Sequence, residues 1–204
     1  MNGISRFRAF AVGSLFVLNC VAQDLGPDEL VRKATDEVLA AIKSDKQLAA
    51  GDKQKALALA EEKVLPLIDF DESTRLAVGH NWNRATPEQK RNLVAEFRRM
   101  LVRTYSNAIE AYQGQTLKVL PSRGKQEPEG TTVRTQFVRA GGQPLSIEFE
   151  MRKTDASWRI YDITVGGVSL VITYRSEFDA IVKQSGIDGL IKRLAEKNAP
   201  AKAG

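Results

Sequence analysis

The chain has one cysteine, Cys20, and one histidine, His80, among 204 residues. So small a stock of thiol and imidazole leaves no His/Cys cluster for a metal. A Ser/His/Asp set could be built only around His80. That histidine stands beside Asn81 and Trp82 at a predicted loop start, where a hydrogen-bonded loop role is the simpler reading. No glycine-rich loop leads from a strand into a helix, so there is no phosphate cradle. No apolar run reaches the roughly 20 residues that a membrane-spanning helix needs. A net charge of +5 without any Lys/Arg run argues weakly for anionic surfaces such as membranes and gives no footprint for nucleic acid.

What is present begins at the N-terminus. Arg6 and Arg8 form a positive segment, Phe10 to Leu18 is a short apolar run, and Cys20-Val21-Ala22 follows with small residues. This is the layout of a secretory signal peptide over residues 1–22. A lipidated Cys20 is the alternative, but a lipobox wants Leu three residues before the cysteine and a small residue just before it. Val17 and Asn19 stand there, so cleavage after Ala22 is favoured. The mature chain then lacks cysteine, and disulfides are excluded. Its net charge falls from +5 to +3 with the loss of Arg6 and Arg8.

The rest reads as helices, then strands, then helices. Leu30, Val31, Ala34, Val38 and Ile42 recur at helical spacing. A second helix runs from Asp52 towards Leu65, ending at Pro66. Ile68 to Gly79 reads as a short helix, with Asp69 and Asp71 as caps and an Asp71–Arg75 ion pair one turn apart. Thr86-Pro87-Glu88-Gln89 is a capping box with proline at the first helical position. The helix that follows carries Leu93, Phe97, Met100, Leu101, Tyr105, Ala108 and Tyr112 on one stripe and ends at Gly114. Strands are expected over 116–120, 131–140, 145–153 and 158–165, with a hairpin at Gly141-Gly142-Gln143-Pro144. In the third of these, Leu145, Ile147, Phe149 and Met151 alternate with Ser146, Glu148, Glu150 and Arg152, which predicts one buried face of an antiparallel sheet. Asp162 in a strand needs a partner, with Tyr174 and Arg175 as candidates. Gly166-Gly167 breaks the last strand. Helices are expected from Ser169 to Lys183 and from Ile187 to Lys197, then a disordered tail over 198–204. No linker divides residues 23–197, which read as a single domain.

Several segments in this order resemble the MlaC family of periplasmic phospholipid-binding, or toluene-tolerance auxiliary, proteins. They are Val64-Leu65-Pro66-Leu67-Ile68-Asp69-Phe70 with Arg75 and Gly79, then Trp82 and Ala85 to Gln89. Leu101-Val102-Arg103-Thr104-Tyr105, Tyr112 and Gly141 to Pro144 continue the pattern. Trp158 to Asp162, Gly167 to Leu170 and Tyr174 to Phe178 complete it. Phe149, where Tyr is expected, and His80-Asn81 before Trp82 depart from it.

The resemblance implies an α+β fold, helices packed on a twisted antiparallel sheet of about four strands, enclosing an apolar ligand cavity. It implies bound phospholipid as cargo, with no other cofactor. The expected partners are an outer-membrane lipoprotein complex and an inner-membrane complex driven by an ATPase, in service of outer-membrane lipid asymmetry. Exposing a pair of ~16-carbon tails to water would cost roughly 25 kcal/mol at ~0.8 kcal/mol per methylene, so unaided crossing of the periplasm is negligible. The expected lipid-binding residues are Phe97, Leu101, Tyr105, Phe137, Ile147, Phe149, Val168 and Leu170, each of which could equally be ordinary core. Two other classes stay open. A periplasmic enzyme on an apolar substrate would need a titratable group in the pocket, and a structural adaptor would have no cavity.

Overall fold

Short-range chemistry sets the helix starts. Thr86 Oγ1 accepts from the Gln89 amide at 3.2 Å, and Gln89 Oε1 accepts from the Thr86 amide at 3.0 Å. Both arms of the expected capping box are therefore made, and helix α5 (Pro87–Tyr105) begins there. The computed structural model describes residues 25–105, 116–121, 127, 130–138, 141–155 and 157–199. The expected signal peptide, the far end of the long helix at Ala108, Tyr112 and Gly114, and residues 200–204 of the tail lie outside the described residues.

Before α5 come α1 (Pro27–Ser44), α2 (Lys46–Ala49), α3 (Lys53–Leu59) and α4 (Phe70–Val78). Helix α3 does not stop cleanly at Pro66. It loosens into a π-turn over Ala60–Val64 and then tightens into a 3-10 turn over Leu65–Leu67, the proline lacking the amide that a continued helix requires. Asp69 caps α4, its side chain accepting from the Glu72 amide at 3.0 Å. Asp71 sits within the first turn, and the expected Asp71–Arg75 pair is not made. Arg75 instead grips Glu72 with two nitrogens, one residue closer, where the fork can bind both carboxylate oxygens. Gly79 ends α4 with φ +63, a backbone state that favours glycine.

The sheet has five antiparallel strands in sequential order, β1 (Thr116–Val119), β2 (Thr131–Val138), β3 (Leu145–Lys153), β4 (Trp158–Val165) and β5 (Val168–Ser169). The expectation of about four is one short. Ser169, where a helix is expected to start, pairs instead with Thr164, and Val168 pairs with Val165 across the Gly166-Gly167 turn. The helix begins later. A 3-10 turn over Ile172–Tyr174 leads into α6 (Arg175–Asn198). At Gly186, where a stop was expected, φ +72 kinks α6 and the helix resumes. At its far end α6 includes Asn198, inside the segment expected to be tail.

A register shift between Glu150 and Met151 places Tyr161 as an extra residue on β4, a bulge that raises the local twist. Cross-strand partners put Val133, Phe149 and Ile163 on one face, together with Thr135, Ile147 and Val165. Two apolar cores result. Val31 of α1 packs with Val133, Met151, Trp158 and Ile160 of the sheet. The other core is helical, with α4, α5 and α6 closing around Phe97, Phe178, Leu93 and Leu190.

Candidate functional site, an apolar rim at one end of the sheet

Four large apolar side chains are notably exposed among the described residues: Tyr105, Leu145, Val168 and Ile172, at 37%, 42%, 58% and 39%. They come from three stretches of the chain that are linked through the Gly166 turn and the segment after it. Leu145 starts β3 beside the Gly166 turn, its Cδ1 3.5 Å from where a Cβ on Gly166 would stand. Val168 lies just past that turn, paired with Val165, which pairs in turn with Ile147. Ile172 follows on the 3-10 turn, and the Tyr105 hydroxyl, at the end of the described α5, bonds to Tyr174. Phe137 joins the group through its pairing with Leu145 and is half-buried, like Ile147 and Val165. The other end of this sheet face is closed by α1. The result is an apolar strip that is dry at one end and open at the other. A single exposed leucine needs no explanation, but several at one place mark a contact surface or ligand site.

The expected lipid-binding residues divide between this rim and the two cores. Phe137, Ile147 and Val168 share one sheet face at the open end, and Tyr105 is tied to Tyr174 by its hydroxyl. Leu170 is half-buried nearby, its amide bonded to the Ile163 carbonyl at 2.9 Å. Phe97 stands apart, with no exposed surface. Its ring meets Tyr174 and Phe178 edge-on, at centroid distances of 5.4 and 5.3 Å, the geometry that ring quadrupoles favour. Leu101 packs on that same helical core, and Phe149 packs on the core beneath α1. Leu145, Val165 and Ile172 were not singled out from sequence. Leu145 carried a signal, since it shares the alternation of Ile147. Ile172 carried none, because its segment reads as helix.

Behind the rim a buried carboxylate holds the chain in place. Asp162 Oδ1 accepts from the amides of Ile163 at 2.7 Å and Val171 at 3.1 Å, and Oδ2 accepts from the Ser169 hydroxyl. Ser169 Oγ in turn accepts from the Ile172 amide at 2.9 Å. Asp162 is therefore a structural lock as expected, but its partners are not Tyr174 and Arg175. It fastens the segment carrying Val168 and Ile172 to β4. Burial first, then the bond to Tyr174, pushes the Tyr105 hydroxyl up to about 12. Burial also raises the Glu150 carboxyl; the Thr132 hydroxyl counters this, while Glu148 and Asp162 add to it.

Other polar side chains serve the scaffold. Arg152 Nε donates to Asp69 at 2.7 Å and its guanidinium also approaches Glu72 at 3.7 Å. Arg134 donates to the Pro121 carbonyl at 2.9 Å. His80 Nε2 lies 3.6 Å from Asp179 and is largely exposed. Among the described residues no group of His, Cys, Asp and Glu is placed to hold a metal ion.

Comparison with known proteins now bears on this geometry. The family model described as MlaC protein matches residues 32–196. The chain belongs to the MlaC family. It is 20% identical, over 92% of its length and 89% of the relative's, to the intermembrane phospholipid transport system binding protein MlaC of Haemophilus influenzae. It is 22% identical to the toluene tolerance protein ttg2D of Pseudomonas putida, over 79% of this chain and 75% of that one. Among solved structures it is similar to the phospholipid-binding protein of Ralstonia solanacearum in complex with a phospholipid. There the TM-score is 0.76 at 33% identity, covering 85% of this chain and 97% of that chain. This MlaC-family chain thus shares an α+β architecture with a protein that holds a lipid.

Proposed function

We propose that this chain is a periplasmic carrier that holds the acyl tails of a phospholipid and moves it between membranes, helping to maintain outer-membrane lipid asymmetry. The observation that carries the reading is the half-open apolar strip of Phe137, Leu145, Ile147, Val165 and Val168. The phospholipid held by the Ralstonia solanacearum relative supports it. Tails lying on the strip would be shielded from water at about 0.8 kcal/mol per methylene, while the charged head stays at the rim. Leu101 and Leu170 would extend the wall, with Phe97 and Phe149 supporting it from the cores behind.

In this reading the carrier supplies no energy. It meets an outer-membrane lipoprotein complex at one end of its path and an ATPase-driven inner-membrane complex at the other. Its contacts must be weak enough to release. The signal peptide over 1–22 delivers it to that compartment, and 23–197 act as one lipid-binding domain. Catalysis is not part of the proposal. The titratable groups beside the rim, Tyr105 and Asp162, are occupied in holding Tyr174 and the Ser169–Val171 segment. Gentle purification, organic extraction and mass spectrometry should find about one phospholipid per chain. A chain that stays empty and takes up no added phospholipid would overturn the reading.

A further inference from the structure

Ile172 belongs to two features at once. It is exposed four residues past Val168, its amide bonded to Ser169 Oγ, and it also lines a groove of about 790 Å³ where the end of α4 meets the start of α6. The groove's other walls include Arg75, His80, Arg175, Ser176 and Asp179. The charges there are not equivalent. Arg75 is already held by both oxygens of Glu72. Asp179 is engaged by Lys183 at 2.6 Å and Asn81 at 3.1 Å, with His80 at 3.6 Å; Lys183 first, then Asn81, holds its carboxyl below the ordinary range. Arg175 differs. Its Nε donates to the Leu76 carbonyl at 3.0 Å, and no carboxylate pairs with it among the described residues. The side chain lies over Gly79, where an added Cβ would stand 3.4 Å from Nε. One bond to a carbonyl thus orients a guanidinium whose two terminal nitrogens remain for a planar, two-pronged contact. Phosphate oxygens suit that contact.

We infer that this groove is an anion subsite for the phosphodiester of the bound lipid, with Arg175 as its charged partner. The inference rests on phospholipid being the cargo and adds which atoms hold its head. Ile172 and Arg175 are one turn apart, roughly 5 Å along the axis, which is about the span from phosphorus to the first acyl ester of a glycerophospholipid. Tails on the apolar strip and a phosphate on Arg175 are therefore compatible within one molecule.

The test compares two lipids with identical tails, phosphatidylglycerol and diacylglycerol, offered in phosphatidylcholine-free neutral detergent to the lipid-stripped full chain. The wild type should retain phosphatidylglycerol about tenfold better, the scale of one charge-assisted contact. Arg175→Gln should bring the two within about twofold while diacylglycerol retention is unchanged, and Arg175→Lys should recover part of the preference. Ser176→Glu is a second variant that leaves the Arg175–Leu76 bond alone. Its carboxylate is favourable in the first turn of a helix, so it should fold normally and still suppress the preference. A wild-type preference that survives in both Arg175→Gln and Ser176→Glu would overturn the inference. So would Arg175-dependent binding of inorganic phosphate at micromolar concentration without any effect on lipid choice, since the groove would then serve a free anion. Retention of neither lipid by the wild type would instead sink the carrier reading, and this subsite with it.

Discussion

Replacing Asp162 by alanine removes one buried acceptor from three donors. Ile163 N–H and Val171 N–H both point at Oδ1, and the Ser169 hydroxyl points at Oδ2. Asp162 is 6% exposed, so water can replace little of what is lost. Hydrogen bonds to a charged group contribute about 1.5–3 kcal/mol each, offset by the cost of keeping the carboxylate buried. A net loss of about 3–4 kcal/mol is expected for Asp162→Ala. Asp162→Asn is the discriminating control. Its remaining oxygen can stay at the Oδ1 position with both amides, leaving only the Ser169 contact to rearrange, for about 1–2 kcal/mol. At roughly 2–4 °C per kcal/mol for a chain of this size, Tm should fall by about 6–16 °C and 2–8 °C respectively. The assay is urea unfolding of the lipid-stripped chain followed by circular dichroism, with thermal melts alongside. Stripping matters because bound lipid adds stability by mass action. Ser169→Ala combined with Asp162→Asn should cost less than the sum of the two, because both break one link. An Asp162→Asn as damaging as Asp162→Ala would refute the reasoning, as would an alanine variant within about 1 kcal/mol of wild type.

Three further outcomes follow from the same structure. Ile147→Trp should keep a near-normal Tm when lipid-free yet lose or shorten its lipid, whereas Phe97→Ala should cost about 3–5 kcal/mol; native mass spectrometry with melting curves reads both. The Glu150 carboxyl is raised by burial in the folded chain, so the native state binds more protons there than the unfolded one. Stability should therefore rise as pH falls from neutral towards the unfolded-state value, and Glu150→Gln should be more stable at pH 7 and lack that part of the pH dependence. The Tyr105 hydroxyl should ionise at about 12, so Tyr105→Phe should remove a step near that pH from an ultraviolet absorbance titration.

Local chemistry was legible residue by residue. The Thr86–Gln89 box, the alternation from Leu145 to Met151 and the stop at Gly79 depend on neighbours within four positions, and a linear pattern carries that information. The α+β class followed from the order of those patterns. Tertiary structure decided everything that joins distant segments. Ser169 reads as the start of a helix because nothing nearby shows that Thr164 waits across the turn. Arg152 read as a surface charge, yet it is bonded to Asp69, 83 residues away. Asp162 announced that it needed partners but not which, since Ser169 and Val171 reach it only once the chain has doubled back. Periodicity told which side of a helix or strand is apolar, without telling what covers it. Phe97 and Ile147 lie on equally apolar stripes, and only packing put one inside an aromatic cluster and left the other beside an open rim.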